Sequence, residues 1–474
     1  MSITRALVED VAAWADGWLQ HRQRTLRVPG IQFAVAHEGA IVASGAHGVA
    51  DVSTGVPLRK DHLFRVASHS KAFTATAIVQ LAEAEPPALA LDDRLADHVA
   101  WIGSRPAFQG FAGLTLRELL HHGSGISRDG VDGDHWQLRR PFPDVDALRE
   151  LLERSPSPFA SSERFHYSNL AYSLLGLVIE STTGRTYTEH MRSAVIEPLG
   201  LADTEPDFAP ERADRYAAGH THAGDGRARL PIDHVPTNAM ASATGFTSTA
   251  EDLARFFGAL CFGDERLVGD AAKRRMQQRQ WTQRENEHYG LGLQILDLGD
   301  RYLIGHAGGY PGHCTKTWCD PREGLVVSVL ANAIDAPAAE LCTGIVRLAD
   351  HVARRPEDAV PAHAAGIDPR SFAGRFVNLW GTYDIVSFGD RLLVVPLRAN
   401  DPADEVMELA AESESTARLV RAPDGYTSVG EPFTFERDAS GRVTRVRGTS
   451  SITGYPDGEY ERVFLSGTRV RLTE

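Results

Sequence analysis

The sequence predicts an α+β fold in two domains, in which a helix-and-sheet domain precedes a small antiparallel β-barrel. Strand patterns occur at 30–45 and again at 302–331, with mostly helical patterns between them, so one sheet is expected to form from the two ends of the first domain. A segment rich in Pro, Ala and charged residues at 355–366 breaks all periodicity, as a linker does. After it, eight short strand patterns alternate with turn sequences such as Pro-Asp-Gly, which is typical of a small barrel.

The first domain is predicted to run from residue 1 to 354 and to combine an antiparallel sheet with flanking helices and a mainly helical block. Its first sheet element is a hairpin, because two apolar runs flank a Glu38-Gly39 turn. The clearest helical patterns lie at 71–84, 115–122, 146–154, 168–181 and 250–260. A capping-box sequence at 248–251 introduces the last of them. Strand patterns then follow at 302–306, 313–319 and 325–331, and a helical pattern at 337–354 closes the domain.

The second domain is predicted at 369–474, after a linker at 355–368. Its apolar runs are short and turn residues separate them, so strands rather than helices are expected throughout. The eight predicted barrel strands lie at 376–378, 382–387, 391–396, 406–411, 418–420, 433–437, 443–449 and 460–465.

Composition and charge exclude several classes of protein. With 474 residues, 42% hydrophobic and 24% charged, the chain can form two packed domains and does not resemble a disordered protein. A formal net charge of −14 argues against nucleic acid and anionic membranes as partners, since both bind clustered Lys and Arg. No apolar run reaches membrane-spanning length and the first twenty residues lack the pattern of an export signal, so a cytoplasmic location is expected.

The sequence predicts neither a metal nor another cofactor. The four cysteines have no zinc-type spacing and are few for the length, so reduced thiols without a disulfide are expected. The pair His220-Thr-His222 has no third ligand in register, so it is not interpreted as a metal site.

The most informative motif is Ser68-His-Ser-Lys71, at the start of the helical pattern 71–84. Positions three apart share a face of a helix, so the Ser68 hydroxyl and the Lys71 amine are expected to meet. A lysine held among apolar residues can lose its charge and take the proton of a serine, which activates the hydroxyl as a nucleophile. Taken alone the motif is short, and an N-cap serine followed by a surface lysine explains it better.

A second candidate group is Tyr167-Ser-Asn169, which directly precedes the helical pattern at 170–181. Residues two apart in an extended segment project to the same side, so a phenol and an amide can face one pocket. A phenol near an ammonium ionises more easily, so Tyr167 is a candidate base for Ser68 and acid for a leaving group, and Asn169 is a candidate to orient a carbonyl. Read alone, Asn169 as a helix cap and Tyr167 as a packing residue remain the better interpretation.

The third group is His306-Ala-Gly-Gly309, at the end of a strand pattern. Gly308 and Gly309 would let a substrate approach the backbone closely. One backbone N–H of this segment, together with that of Ser68, is a candidate oxyanion hole. For His306 alone, a hydrogen-bonded histidine at a strand end is the alternative.

Together these residues resemble the serine β-lactamase and penicillin-binding protein superfamily, in its class C β-lactamase-related branch. That branch includes D-stereospecific peptidases, esterases and peptide-cyclising thioesterases. The resemblance covers about residues 25–350, and its segments occur in the family order at 114–126 (LTLRELLHHGSGI), 165–180 (FHYSNLAYSLLGLVIE), 245–256 (GFTSTAEDLARF) and 289–293 (YGLGL). It implies the family fold for the first domain.

The resemblance also implies roles for individual residues. Ser68 would be the acylated nucleophile, and Lys71 and Tyr167 would move protons, with the choice of base left open. Asn169 would position the substrate. The backbone N–H groups of Ser68 and Gly309 would form the oxyanion hole.

One departure from the family pattern bears on the substrate. β-Lactamases and transpeptidases usually carry Lys-Thr-Gly where this chain has His306-Ala-Gly308. A lysine there is a permanent cation that favours a substrate carboxylate, whereas a neutral imidazole hydrogen-bonds instead. His-x-Gly at this place is similar to the esterase, D-aminopeptidase and cyclase members, so antibiotic hydrolysis is not the expected main activity.

The second domain resembles the lipocalin-like barrel that follows the catalytic domain in several peptide-processing members. In the cyclising thioesterases an arginine of this barrel is thought to contact the substrate carboxylate. Arg445 and Arg447 lie two apart on one strand pattern and are the candidates here. Two solvated strand arginines are an equally good interpretation.

The predicted function is acyl transfer through an acyl-Ser68 intermediate, on peptide esters, thioesters or amides that contain D-residues. The enzyme would be a peptide-cyclising thioesterase or a D-stereospecific peptidase, and its partner a small molecule or a peptide, including one bound to a peptide synthetase. A small-ester hydrolase is the first alternative and a β-lactamase the second. A non-catalytic protein that binds peptides or cell-wall fragments is the alternative of another class. The oligomeric state is open.

Overall fold

Two structural units make up the chain. The sheet unit comprises Gln23–Cys342, and the barrel unit comprises Met1–Arg22 with Thr343–Glu474. The computed structural model describes residues 3–354, 362–423, 427–448, 451–460, 462 and 464. Half of the predicted linker, 355–361, lies outside the described residues, and the predicted division into 1–354, 355–368 and 369–474 stays a prediction.

An eight-stranded antiparallel sheet forms the framework of the sheet unit, in the order β2-β1-β12-β11-β10-β9-β8-β7. Its strands are β1 Gly30–His37, β2 Ala40–Gly48, β7 Trp281–Arg284, β8 Glu287–Tyr289, β9 Gln294–Leu298, β10 Arg301–Tyr310, β11 His313–Asp320 and β12 Leu325–Ala331. Strands β1 and β12 pair with each other, so the sheet is assembled from the two ends of the unit, as the sequence predicts. Both are buried at every position, which explains their continuous apolar runs.

Four further strands form two short ladders outside this sheet. They are β3 Phe64–Arg65 paired with β6 Thr247–Ser248, and β4 Gly219–His220 paired with β5 Pro231–Ile232. The β3–β6 ladder immediately precedes the segment that carries Ser68, so it sets the position of that segment.

Fourteen α-helices occur among the described residues, thirteen of them before the barrel strands. They are α1 Arg5–Thr25, α2 Ser70–Glu83, α3 Leu95–His98, α4 Ala100–Ser104, α5 Gln109–Ala112, α6 Leu116–Leu120, α7 Val145–Glu153, α8 Asn169–Thr183, α9 Tyr187–Met191, α10 Glu197–Leu199, α11 Ala250–Gly258, α12 Asp270–Met276, α13 Ala338–Ala353 and α14 Asp457–Tyr460. The N-cap of α11 is Thr249 rather than Ser248, the residue with which the predicted capping box begins, because the Thr249 side chain accepts the backbone N–H of Asp252.

Helix α2 is the centre of the hydrophobic core. Its first ten residues are all buried, so it is apolar on every side rather than amphipathic. Phe73 stacks between Phe246 and Phe256, with ring centroids 4.3 and 3.7 Å away. This enclosure places any polar side chain on α2 in an apolar environment.

The barrel is closed and has eight antiparallel strands, as the sequence predicts. They are β13 Gly374–Asn378, β14 Gly381–Phe388, β15 Arg391–Pro396, β16 Met407–Ser413, β17 Thr416–Arg421, β18 Pro432–Arg437, β19 Val443–Arg447 and β20 Thr453–Pro456. Helix α1 contributes to this unit, since the Trp14 indole N–H donates to Asp384 Oδ2 at 3.0 Å.

The eighth barrel strand is not the predicted segment 460–465. Tyr460 ends helix α14, most of 461–465 lies outside the described residues, and β20 at Thr453–Pro456 closes the barrel instead. The sequence pattern did not indicate this strand, because Gly454 lies within it and glycine weakens a strand pattern. The structure requires glycine there, since a Cβ would lie 2.1 Å from the Tyr383 hydroxyl.

Candidate active site

Ser68 lies in a tight turn that leads directly into helix α2. The turn is a 3₁₀ segment, Ala67–His69, and Ala67 has φ +48°, which is strained for a residue with a side chain. Hydrogen bonds hold it: the Ser70 hydroxyl donates to the Ala67 carbonyl at 2.6 Å, and His69 Nδ1 donates to the Val66 carbonyl at 3.0 Å. The Ser68 side chain is therefore presented in a fixed position at the helix N-terminus.

The Lys71 amine is fully buried one turn along α2. Its Nζ lies 3.3 Å from Ser68 Oγ, and donates to Asn169 Oδ1 at 2.7 Å and to the Ala243 carbonyl at 2.8 Å. Burial lowers the pKa of Lys71 well below its ordinary value; the Asp129 carboxylate raises this pKa and the Arg128 guanidinium lowers it. A neutral amine donates to the two carbonyl oxygens and offers its lone pair to the serine hydroxyl.

The Tyr167 phenol also meets Ser68. Its hydroxyl hydrogen-bonds Ser68, and Lys71 Nζ lies 4.7 Å from the centre of its ring. Burial raises the pKa of Tyr167, against the lowering effects of the Ser68 hydrogen bond and of Arg128. This direction is opposite to the sequence-based expectation that a nearby ammonium eases ionisation, because Lys71 is itself driven towards its neutral form.

Asn169 connects Lys71 to two residues that the sequence did not single out. Its Nδ2 donates to Asp129 Oδ1 at 2.7 Å, and the Trp136 indole N–H donates to the same oxygen at 2.9 Å. Asp129 also pairs with Arg128 at 3.3 Å. The sequence offered one indication that Arg128 and Asp129 lie near the site: Ser127-Arg-Asp-Gly130 directly follows the family-like segment 114–126.

His306 lies on β10 and is buried. Its Nδ1 donates to the Ala307 carbonyl at 2.7 Å, and its Nε2 accepts from the Tyr289 hydroxyl at 3.1 Å. Burial lowers the pKa of His306 well below its ordinary value, and His69 and Lys71 lower it further. His306 is thus a neutral imidazole, and Tyr289 stands between it and Tyr167, whose ring centre is 6.5 Å from that of Tyr289.

His122, to which the sequence analysis gave no role, packs within this aromatic group. Its ring centre lies 4.2 Å from that of Tyr167 and 4.9 Å from that of Tyr289. Its Nδ1 accepts the Ser168 backbone N–H at 3.1 Å. His122 therefore holds the segment that carries Tyr167 and Asn169.

Gly308 and Gly309 lie at the end of β10, where the strand passes the Ser68 turn. A Cβ on Gly308 would lie 2.2 Å from the Val66 carbonyl oxygen, whereas one on Gly309 would meet nothing within 4 Å. Gly308 is therefore needed for the close approach of the strand to the turn. Gly309 faces open space beside it, as an oxyanion-hole position requires.

The two barrel arginines differ in their surroundings. Arg445 forms an ion pair with Glu459, and its guanidinium lies 4.7 Å from the centre of the Tyr455 ring. The side chain of Arg447 is 57% exposed and lies 4.0 Å from Glu436. Arg447 is thus the more available of the two for a ligand.

The described residues include neither a metal-binding cluster nor a membrane-spanning helix. They contain no group of three or more His, Cys, Asp or Glu side chains arranged to hold a metal ion. Across the same residues, no helix combines the length and the hydrophobicity that a membrane crossing requires.

Comparison with known families agrees with the geometry of the site. The Beta-lactamase family model matches residues 15–350, which include Ser68, Lys71, Tyr167, Asn169 and His306. The chain belongs to the beta-lactamase family. This membership makes it a serine hydrolase.

Two curated proteins illustrate what the chain is similar to. Penicillin-binding protein 4* of Bacillus subtilis is 27% identical, over 67% of this chain and 70% of that protein. Esterase EstB of Burkholderia gladioli is 32% identical, over 44% of this chain and 54% of its own length. The match to EstB thus spans only about half of that esterase.

Solved structures extend the likeness. The D-amino acid amidase of Ochrobactrum anthropi SV3, complexed with L-phenylalanine amide, is 25% identical over 73% of this chain and all of the amidase, with a TM-score of 0.60. SurE is 22% identical over 94% of this chain and 99% of SurE, also with a TM-score of 0.60. The likeness to SurE concerns the fold alone, and it extends to both units.

Gly308→Ala is expected to lower kcat/KM by about a hundredfold, because the added methyl group displaces β10 from the Ser68 turn and misplaces the oxyanion hole. Gly258→Ala is the matched control, since its methyl group meets no atom of the described residues within 4 Å and the residue lies outside the candidate site. Steady-state kinetics with a chromogenic ester measure both variants. Equal losses would contradict the packing described for Gly308.

Arg128→Gln and Asp129→Asn are expected to shift the pH dependence of kcat/KM in opposite directions. Activity rises as Lys71 loses its proton, so the acidic limb follows the pKa of Lys71. Arg128 lowers this pKa and Asp129 raises it. Loss of the guanidinium therefore moves the limb to higher pH, and loss of the carboxylate moves it to lower pH.

Arg128→Lys keeps the charge and serves as the control for this pair, with the wild-type limb expected. Asparagine at 129 keeps an oxygen acceptor for Asn169, so the site geometry is preserved. A shift of both variants in the same direction would rule out Lys71 as the titrating base.

Proposed function

We propose that the chain is an acyl-transfer enzyme in which Ser68 is the nucleophile, Lys71 the base and Tyr167 the acid. The observation that carries this assignment is that Ser68 Oγ lies within reach of a buried amine with a lowered pKa and of a buried phenol with a raised pKa. At neutral pH a lowered lysine pKa favours an uncharged amine that can accept a proton, and a raised tyrosine pKa keeps the phenol protonated so that it can donate one.

The geometry supports a two-step reaction. Ser68 Oγ attacks the carbonyl carbon as its proton passes to Lys71 Nζ, and the backbone N–H groups of Ser68 and Gly309 stabilise the oxyanion. Tyr167 gives its proton to the leaving group, whose bond to the carbonyl carbon breaks, and Lys71 reprotonates the phenol. An acyl-Ser68 ester remains, and water or an amine then attacks it by the reverse sequence of proton transfers.

The substrate class proposed is a peptide ester, thioester or amide that contains a D-residue. A neutral imidazole at His306 supports it, since this position supplies no permanent cation for the carboxylate that β-lactams and transpeptidase substrates carry. The likeness to the D-amino acid amidase, whose name states its substrate class, adds support. Either water or the peptide's own amine would complete the reaction, giving a D-stereospecific peptidase or a peptide-cyclising thioesterase.

Two other functions are weaker candidates. A small-ester hydrolase is supported by the 32% identity to the esterase, which covers less than half of this chain. A protein that only binds peptides would have no need of a desolvated lysine beside Ser68, because the burial of Lys71 costs folding free energy.

A linear peptide thioester with a free N-terminus and a C-terminal D-residue tests the proposal. Release of thiol with a cyclic or linear product, and a covalent fluorophosphonate label on Ser68, are the expected results by mass spectrometry. Predominantly cyclic product identifies a cyclase, and linear acid alone identifies a peptidase or esterase. Ser68→Ala is the control, and label or turnover that persists in it would refute the assignment of the nucleophile.

A carboxylate-binding role for the barrel arginines is part of the proposal. Arg447→Ala is expected to raise KM for peptide substrates and to leave turnover of a small chromogenic ester unchanged. Arg447 suits this test because it is exposed, whereas removal of Arg445 would leave Glu459 without its ion-pair partner. Equal losses on both substrates would contradict the role.

A further inference from the structure

A half-buried indole, Trp136, is anchored to the proton-transfer side of the site. Its Nε1–H donates to Asp129 Oδ1 at 2.9 Å, and the same oxygen accepts Asn169 Nδ2 at 2.7 Å. Asn169 in turn accepts from Lys71. The polar edge of the indole is therefore fixed by a short chain of hydrogen bonds that ends at Lys71, and its ring is left to present an apolar surface.

The other side of the same indole meets an aromatic cluster beside the oxyanion hole. The Trp136 ring centre lies 5.2 Å from that of Phe142 and 6.3 Å from that of Tyr310, edge-on in both cases. Phe142 and Tyr310 form a buried cluster with Ala67 and Met240. Ala67 directly precedes Ser68, and Tyr310 directly follows Gly309, so this cluster borders both strands of backbone that form the oxyanion hole.

Three partly exposed apolar side chains line the solvent side of this cluster. Trp136, Leu138 and Val235 all pack against its buried residues. The Tyr310 ring beneath them is held from another side by Arg65, whose guanidinium carbon lies 4.4 Å from the ring centre. The rings of Phe142 and Tyr310 and the three apolar side chains packed on them thus form one apolar surface. This surface lies next to the proposed oxyanion hole, where the scissile carbonyl would bind.

We propose that Trp136, Leu138 and Val235 form a subsite for a bulky apolar side chain on the residue that carries the scissile carbonyl. This inference rests on the proposed function for its position in the reaction. The side chain of that residue leaves the atom next to the carbonyl carbon, so it must lie close to the backbone that holds the carbonyl oxygen. The surface available there is apolar and aromatic, and an aromatic or branched aliphatic side chain is its complement.

The two carboxylates nearby, Asp129 and Asp207, are already engaged, which argues against a cationic side chain in this subsite. Asp129 Oδ1 accepts from both Asn169 and Trp136, and its Oδ2 faces Arg128 at 3.3 Å. Asp207 pairs with Arg65 at 3.5 Å and accepts the Thr237 and Asn238 backbone N–H groups. A substrate cation placed on this surface would find neither carboxylate free.

The kinetic test compares N-acetyl-D-phenylalanine and N-acetyl-D-alanine thioesters with the same leaving group. The wild-type enzyme is expected to prefer the phenylalanine substrate by roughly tenfold or more in kcat/KM, as a filled apolar pocket allows. Trp136→Ala is expected to abolish this preference, and Trp136→Phe to retain most of it. The L-enantiomers of both substrates separate the choice of side chain from the choice of stereochemistry.

A second variant, which makes the subsite smaller, tests the proposal even if Trp136→Ala fails to fold. Val235→Trp fills the subsite and is expected to reject the phenylalanine thioester while it still accepts the alanine thioester. Trp101→Ala is the matched control, because Trp101 is also a partly buried indole, packed on Phe108 at 4.8 Å. It is expected to leave the preference unchanged.

A binding measurement separates this inference from the proposed reaction. Calorimetry on Ser68→Ala with N-acetyl-D-phenylalanine amide and N-acetyl-D-alanine amide needs no turnover. Tighter binding of the phenylalanine amide that is lost in Ser68→Ala/Trp136→Ala supports the subsite even if the thioesters are not turned over. An unchanged phenylalanine preference in both Trp136→Ala and Val235→Trp, in folded protein, overturns it.

Discussion

Burial of the Lys71 amine is the constraint on which the rest of the site depends. An ammonium removed from water costs several kcal/mol unless acceptors surround it, so a lysine in this position must be matched by carbonyl oxygens or lose its proton. Asn169 Oδ1 and the Ala243 carbonyl take two of its N–H groups at 2.7 and 2.8 Å, and the remaining direction points to Ser68. Ser68 and Lys71 are therefore positioned by the same hydrogen bonds that make burial of the lysine tolerable.

Three separate segments of the chain must come together to meet this requirement. Helix α2 and the 3₁₀ turn before it bring Lys71 and Ser68, the start of α8 brings Asn169, and a π-helical turn at Ala241–Gly245 brings the Ala243 carbonyl. A π-turn widens the helical backbone locally and is often found at functional sites. The apolar enclosure of α2 thus has a chemical consequence, because it lowers the pKa of Lys71 and suits the amine to accept a proton.

A layer of neutral aromatic side chains forms the sheet side of the site. His306 is hydrogen-bonded to Tyr289, and His122 packs on Tyr289 and on Tyr167. Burial lowers the pKa of both histidines well below the ordinary value, so neither is charged at neutral pH. This layer packs against Tyr167 and supplies no histidine cation at neutral pH.

Much of the fold was predictable because its elements carry strong local patterns. The β1–β2 hairpin, helix α2, strands β10 to β12 and seven barrel strands all have apolar periodicity that a single window reveals. Strands β7 to β9 were not predicted, because β7 is largely exposed and all three are short. Strand β20 was misplaced, because Gly454 weakens its pattern for the sake of a close contact with Tyr383.

The sequence by itself determined the reactive set, since Ser68, Lys71, Tyr167, Asn169 and His306 occur in motifs whose order and spacing identify the family. Only the tertiary structure shows how deeply Lys71 and Tyr167 are desolvated and which distant charges act on them, and the proposed roles of base and acid rest on these two features. The tertiary structure also decided that Asp129, Trp136 and His122 belong to the site. Their positions come from packing between distant segments, and no local periodicity records such packing.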